Sequence, residues 1–257
     1  MSRDDYPSTN TDSWTQFGQE RKTGVLNLIR DSDDVGQITT CWFKYPPSPD
    51  SGPIPANEFI ACKLGELLGL PVAKTQFKDF LDKKGTISLS VAPEPLKWAN
   101  FPYKTKLPVY LDDYSSMSRI VAFDVWINNR DRNADNLLYS QVEQEKKKYR
   151  LHLIDHGNAI FGPTKQQPYP IDEFVLSQHV MLPELIGLFA HGIDFFEEAI
   201  ELIKHVSDED IAKIIGLVPS DYLDDLQREY VKNMLSNRRD KLYNEIENEC
   251  KKQEGEL

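Results

Sequence analysis

Between Phe123 and Tyr139 the chain reads FDVWINNRDRNADNLLY, and no other stretch restricts its fold so strongly. An apolar run through Phe123, Val125, Trp126 and Ile127 leads into the polar turn Asn128–Asn136, and Leu137-Leu138-Tyr139 takes the chain back toward the interior. A connection that only reverses the chain needs roughly two to five residues. A polar turn of this length between apolar flanks therefore points to chemistry. Asp131 and Asn136 stand five apart within it, and Asp155-His156-Gly157 follows at the end of an apolar run, Leu153-Ile154.

The 257 residues are enough for one large domain or two lobes around a sizeable core. A net charge of −11 argues against a broad nucleic-acid face, which needs basic patches, so no nucleic-acid partner is expected. The first twenty residues carry no apolar core of a signal peptide, and no apolar run reaches membrane-spanning length. Cys41, Cys62 and Cys250 form no C-x-x-C pair, which favours a reducing, cytoplasmic setting over a disulfide framework or a zinc site.

Residues 1–20 read as a flexible arm, with Trp14 and Phe17 tucked onto the body. Val25–Arg30 and Gln37–Lys44 read as strands around an acidic turn, Asp31–Gly36, and alternation sends Trp42 and Lys44 to one face. Tyr45–Pro55 reads as loop. A helix begins at Ala56 or Asn57, carries Phe59, Ile60, Leu64, Leu67 and Leu68 at helical spacing, and stops at Gly69 before Pro71. Val72–Phe77 and Thr86–Val91 read as a strand pair around Asp82–Gly85, and the prolines of Ala92–Pro95 mark a hinge. Residues 21–95 thus form a small β-rich N-lobe with one helix.

Residues 96–257 form a larger, mostly helical C-lobe. The pattern predicts one helix over Leu107–Ile127 with Ser118 as a candidate cap. A hairpin of Leu137–Tyr139 with Tyr149–Ile154 follows, its exposed tip at Gln141–Lys148. That hairpin would bring Asn136 beside Asp155. A proline-rich loop spans 158–170, and helices follow at 171–190, 194–205, 208–216 and 220–249, with the last eight residues frayed. The fold class is α+β.

Transfer of a γ-phosphoryl group requires a metal to neutralise phosphate oxygens, a fixed cation, and a group that orients or deprotonates the acceptor hydroxyl. Asp131 and Asn136 have the D-x-x-x-x-N spacing of a kinase catalytic loop. Asn136 and Asp155 supply the oxygen donors magnesium prefers, Asp131 is the candidate catalytic base, and Lys44 the cation for the phosphates of ATP. Glu58 is placed to hold Lys44, as a helix glutamate holds the strand lysine in protein kinases. Singly, each piece has an ordinary reading: Lys44 as an edge-strand lysine, Glu58 as a complement to a helix N-terminus, D-x-G as a turn. Their order along the chain is what unites them.

With the strand ending in Phe43-Lys44 and the helix segment NEFIACKLGELLGLPV, the segments FDVWINNRDRNADNLLY and LIDHGNAIFG resemble the HipA-like kinase family. Its short, single-domain bacterial members are the most similar, and the family shares the broader phosphoinositide-3/4-kinase-like fold. The likeness covers residues 22–160, with a weaker echo at Leu235–Leu242. It implies a two-lobed kinase-like fold, with Asp131 as catalytic aspartate, Asn136 and Asp155 as metal ligands, Lys44 on the nucleotide phosphates and Glu58 at the acidic position of the following helix. Asn133 stands where the family often has histidine, no glycine-rich phosphate loop is visible, and no toxin role is carried across.

These readings lead to an ATP- and Mg2+-dependent kinase acting on a hydroxyl, most readily Ser/Thr of a protein, with a regulatory protein partner as a further expectation. A small-molecule or lipid-type kinase on the same scaffold and a non-catalytic nucleotide-binding or interaction module are the alternatives. A metal-dependent phosphohydrolase would leave Lys44 and Glu58 without a task.

Overall fold

Strand β3 (Ile38–Lys44) is the middle strand of a five-stranded antiparallel sheet, and Lys44 is its last residue. The computed structural model describes residues 14–22, 24–31, 38–92, 95–143, 147–165, 167–171 and 192–255. Beside β3 lies β2 (Val25–Asp31), and at the edge β1 (Thr15–Arg21); on the other side come β5 (Lys83–Leu89) and then β4 (Thr75–Phe80).

β1 corrects the flexible arm expected through residue 20, while residues 1–13 lie outside the described residues. Its side chains are mostly polar and exposed, so no alternation marked it as a strand. Trp14 is buried as expected, whereas Phe17 is 63% exposed. The first hairpin turn therefore falls between Arg21 and Val25, which pair with each other. The acidic turn Asp31–Gly36 falls between β2 and β3, and residues 32–37 lie outside the described residues.

The β4–β5 turn is also displaced. Leu81 (φ 47°) and Asp82 (φ 59°) make a two-residue loop with both residues left-handed, the geometry that matches strand twist. Lys83-Lys84-Gly85, read as turn, belong to β5. A Cβ at Gly85 would meet Lys44 O at 2.2 Å, so only glycine fits beside the end of β3.

Helix α1 (Ile54–Leu67) starts earlier than predicted, because Pro55 at its first turn donates no N–H and fits there at no cost. Its end is as read. Gly69 (φ 67°) donates to Glu66 O at 3.1 Å and Leu70 N to Gly65 O at 2.8 Å, a Schellman stop. Ala56, Phe59, Ile60 and Leu64 of α1 share one core with Trp98, Met117 and Trp126, whereas the strand residues Leu26, Leu28, Phe43 and Ile87 form a smaller core with Trp14.

A second sheet has the order β6 (Leu96–Lys97), β7 (Leu137–Glu143), β8 (Lys148–Leu153), with Leu137 opposite Leu153. Pro93 and Glu94 of the expected hinge, and 144–146 of the hairpin tip, lie outside the described residues. The long helix predicted over Leu107–Ile127 is two: α2 (Leu107–Tyr110) and α3 (Ser116–Trp126). The chain leaves the helix at Leu111, which bridges to Tyr149, and Asp112 N donates to Tyr149 O at 2.9 Å. Ser118 lies inside α3, and Asp113 Oδ1 accepts from Ser116 N at 3.2 Å instead.

Helices α4 (Glu197–Lys204), α5 (Asp208–Gly216) and α6 (Asp225–Gly255) complete the described chain, α6 running through the tail expected to fray. The helix predicted at 171–190 falls almost wholly outside the described residues. Among the described residues, no helix is long and apolar enough to cross a membrane.

Candidate active site

The polar turn is anchored before it begins. Asn128 (φ 54°) ends α3: its N–H donates to Val125 O at 3.2 Å and Asn129 N to Asp124 O at 2.9 Å, so the two asparagines make a Schellman stop. From α6, buried Arg238 donates to Trp126 O at 3.0 Å and Val125 O at 2.6 Å, taking up carbonyls at the end of α3. Burial lowers the Arg238 guanidinium to about 9.

Behind the turn lies an ion pair that sequence reasoning did not single out. Arg132 Nε donates to Asp124 Oδ2 at 2.7 Å and Nη2 to Oδ1 at 3.0 Å, with both side chains wholly buried. The same guanidinium reaches Asn136 O, Ile154 O at 3.0 Å and His156 Nε2 at 2.9 Å. One side chain thus fastens the turn, the end of β8 and the D-x-G segment together. Because Nε2 of His156 faces a donor that is always charged, it acts as acceptor. Burial and the charge of Arg132 hold His156 well below its ordinary value.

Across the cleft, Lys44 Nζ lies 2.5 Å from Glu58 Oε1 and 2.8 Å from Asp155 Oδ1. Burial lowers the Lys44 ammonium, but the two carboxylates outweigh it and raise it to about 12. For Glu58, burial prevails over Lys44 and lifts the carboxyl above its usual range. Burial also raises Asp155, yet Lys44 and then Arg132 hold it below the ordinary carboxylate value. Asp155 takes a left-handed backbone, φ 62°, costing roughly 1–3 kcal/mol for a residue other than glycine.

Gly157 explains the last letter of D-x-G. A Cβ there would meet Ile54 Cγ2 at 2.8 Å and Glu58 Oε1 at 3.3 Å, so α1 approaches too closely for any side chain. Asn57 Nδ2 donates to Gly157 O at 2.7 Å and pins the start of α1 to that segment.

The β7–β8 register places Asn136 and Asp155 together as predicted, and Ile154 N donates to Asn136 O at 3.3 Å. Lys44, Asp131, Asn136 and Asp155 all line one cleft of about 510 Å³, with Glu58 buried behind Lys44. Val25, Trp42 and Ser88 line it from the five-stranded sheet, and Leu138 and Ile154 from the other side. Arg21, beside the first hairpin turn, also lines it. Asp135, without a task in the sequence, pairs with Lys97 of β6 at 2.9 Å.

The donor set suits a hard cation. Asp155 keeps 39% of its side chain exposed, and Asn136 anchors its amide nitrogen on Asp131 O at 2.9 Å, so its amide oxygen is the atom that could meet a cation. Among the described residues, no three His, Cys, Asp or Glu side chains gather as a metal cluster. A cation here therefore draws on one carboxylate, one amide and oxygens of a ligand or water, which is how magnesium is usually held.

No family model matches the chain, and no curated protein matches it in sequence. Solved structures do. The structure of the Shewanella oneidensis MR-1 toxin–antitoxin system, HipA and HipB with operator DNA, aligns at 11% identity and a TM-score of 0.47, over 99% of this chain and 68% of that one. The Helicobacter pylori proinflammatory kinase CtkA aligns at 15% identity and a TM-score of 0.58, covering 93% of this chain and 94% of that chain. Over nearly its whole length, the chain has the fold of a kinase.

Proposed function

We propose that this protein is an ATP-dependent, magnesium-requiring phosphotransferase whose acceptor is a serine or threonine hydroxyl of a protein. The observation that carries the reading is Lys44 Nζ bridging Glu58 at 2.5 Å and Asp155 at 2.8 Å, on the cleft that Asp131 and Asn136 also line. An ion-pair network of structural purpose alone does not need an open cleft in front of it or a second aspartate facing it.

In this reading Lys44 holds phosphate oxygens of ATP and Glu58 fixes the lysine. Asn136 and Asp155 hold magnesium, which when bound neutralises charge on those oxygens. Asp131 orients the acceptor hydroxyl. The hydroxyl oxygen forms the new bond to the γ-phosphorus, the bond to the β-phosphate oxygen breaks, ADP leaves, and the hydroxyl proton passes to Asp131. Val25, Leu138 and Ile154 supply apolar surface for the base. The acidic chain, net charge −11, suits a basic acceptor. The three cysteines are buried and form no C-x-x-C pair, which suits a cytoplasmic setting.

The test is thermal stabilisation by ATP with and without Mg2+, together with transfer from γ-labelled ATP, for wild type, Asp131→Ala and Asp155→Ala. Asp155→Ala is expected to lose the magnesium-dependent part of binding. Asp131→Ala keeps ATP binding and loses transfer. A wild type that neither binds ATP nor is stabilised by it sinks the proposal.

A further inference from the structure

Asp131 is held from two directions by asparagine amides. Asn158 Nδ2 donates to its Oδ2 at 3.1 Å, and Asn133 Nδ2 lies 3.4 Å from Oδ1 and 3.1 Å from the Asp131 carbonyl. The Asp131 N–H in turn donates to Asn129 Oδ1 at 3.3 Å. Both Asn133 and Asn158 line the cleft with Asp131. Asn158 stands three residues after Asp155, in the turn that Asn57 and Arg132 fasten to α1 and to the loop.

We propose that Asn158 is a positioning residue, which sets the rotation of the Asp131 carboxylate and couples it to the turn that carries Asp155. The inference rests on the phosphotransferase reading and deepens it. A carboxylate on a half-exposed loop turns freely about its last torsion, which is broad and roughly two-fold. An amide donor on Oδ2 and a second near Oδ1 restrict that rotation, and leave the remaining lone pairs to meet the acceptor hydroxyl. Asn158 supplies the shorter of the two carboxylate contacts and comes from a different segment. A movement of the Asp155 turn therefore reaches Asp131 through it.

A loss of orientation of this kind costs transfer rate rather than nucleotide affinity, and misplacement by about 1 Å is worth up to roughly 100-fold. The experiment compares Asn158→Ala and the isosteric Asn158→Asp, which keeps the size of the side chain but cannot donate when ionised. Expected is a 10- to 100-fold lower kcat for both, larger for Asn158→Asp, with KM for ATP within about twofold of wild type. A kcat within twofold of wild type for both variants, or a raised KM for ATP with unchanged kcat, overturns the inference.

Thermal melting of wild type, Asn158→Ala, Asp131→Ala and the double variant separates this inference from the parent reading, because non-additive shifts report the Asn158–Asp131 contact without any turnover. A wild type that transfers nothing removes the phosphotransferase reading, and additive melting shifts remove the positioning contact.

Discussion

Arg132 and Asp124 meet in a fully buried ion pair, Nε to Oδ2 at 2.7 Å, directly behind the loop that presents Asp131. Removing one partner of a buried pair leaves an uncompensated charge in the interior and typically costs about 3–5 kcal/mol. Asp124→Ala is therefore expected to destabilise the protein by about that amount in urea denaturation. Asp124→Asn should cost less, because an amide oxygen still accepts from the guanidinium. Loss below about 1 kcal/mol for Asp124→Ala would show that the loop does not depend on this pair.

Gly157→Ala tests how α1 is set against the D-x-G segment. The added methyl would stand 2.8 Å from Ile54 Cγ2 and 3.3 Å from Glu58 Oε1, so α1 must shift or Glu58 must turn away from Lys44. Overpacking of this sort costs about 1–3 kcal/mol. The expected result is a lower melting temperature together with a weaker grip on ATP. A variant with wild-type melting and ATP affinity would show that α1 yields freely there.

The pH dependence of stability has a calculable sign. Burial first, and then Arg150, lower His152 from 6.5 to about 4, while Asp112 opposes them. The folded protein keeps this ring neutral, accepting or donating at Ser140 Oγ at 2.8 Å, whereas the unfolded chain protonates below pH 6.5. The unfolded state binds more protons, so stability falls as pH drops through 6.5 toward 4. His152 alone should account for about 2 kcal/mol between pH 7.5 and 5, and His156 adds a loss of the same sign. Melting scans across that window are expected to flatten in part for His152→Gln. An unchanged slope would contradict the assignment.

Much of the site was legible because its residues are chemically conspicuous. Asp131, Asn136 and Asp155 interrupt apolar runs, and the register of the hairpin followed from those runs. What stayed hidden depends on partners brought together only by folding. Asp124 reads as one acid in an apolar helix, and Arg132 as a solvated charge, until each is seen to bury the other. Asn158 reads as loop until its amide meets Asp131. Strand β1 escaped because an edge strand with exposed polar side chains has no period to detect. Pro55 reads as loop although proline is at home at a helix start.

The back of α1 is braced from the helical part. Tyr222, between α5 and α6, packs its ring tilted on Phe77 of β4 at 4.5 Å between centroids, and Phe77 packs likewise on Phe59 of α1 at 4.6 Å. The Tyr222 hydroxyl donates to Gly85 O at 3.3 Å, and burial is the main reason that it is pushed up to about 12. Two variants separate ring from hydroxyl. Tyr222→Phe removes one long hydrogen bond and should cost about 1 kcal/mol or less. Tyr222→Ala removes the end of the aromatic row that steadies the helix bearing Glu58, and for a half-buried ring should cost about 2–3 kcal/mol. Its loosened α1 should also raise KM for ATP, since Glu58 on that helix holds Lys44. Equal losses for the two variants would assign the brace to the hydroxyl and not to the ring.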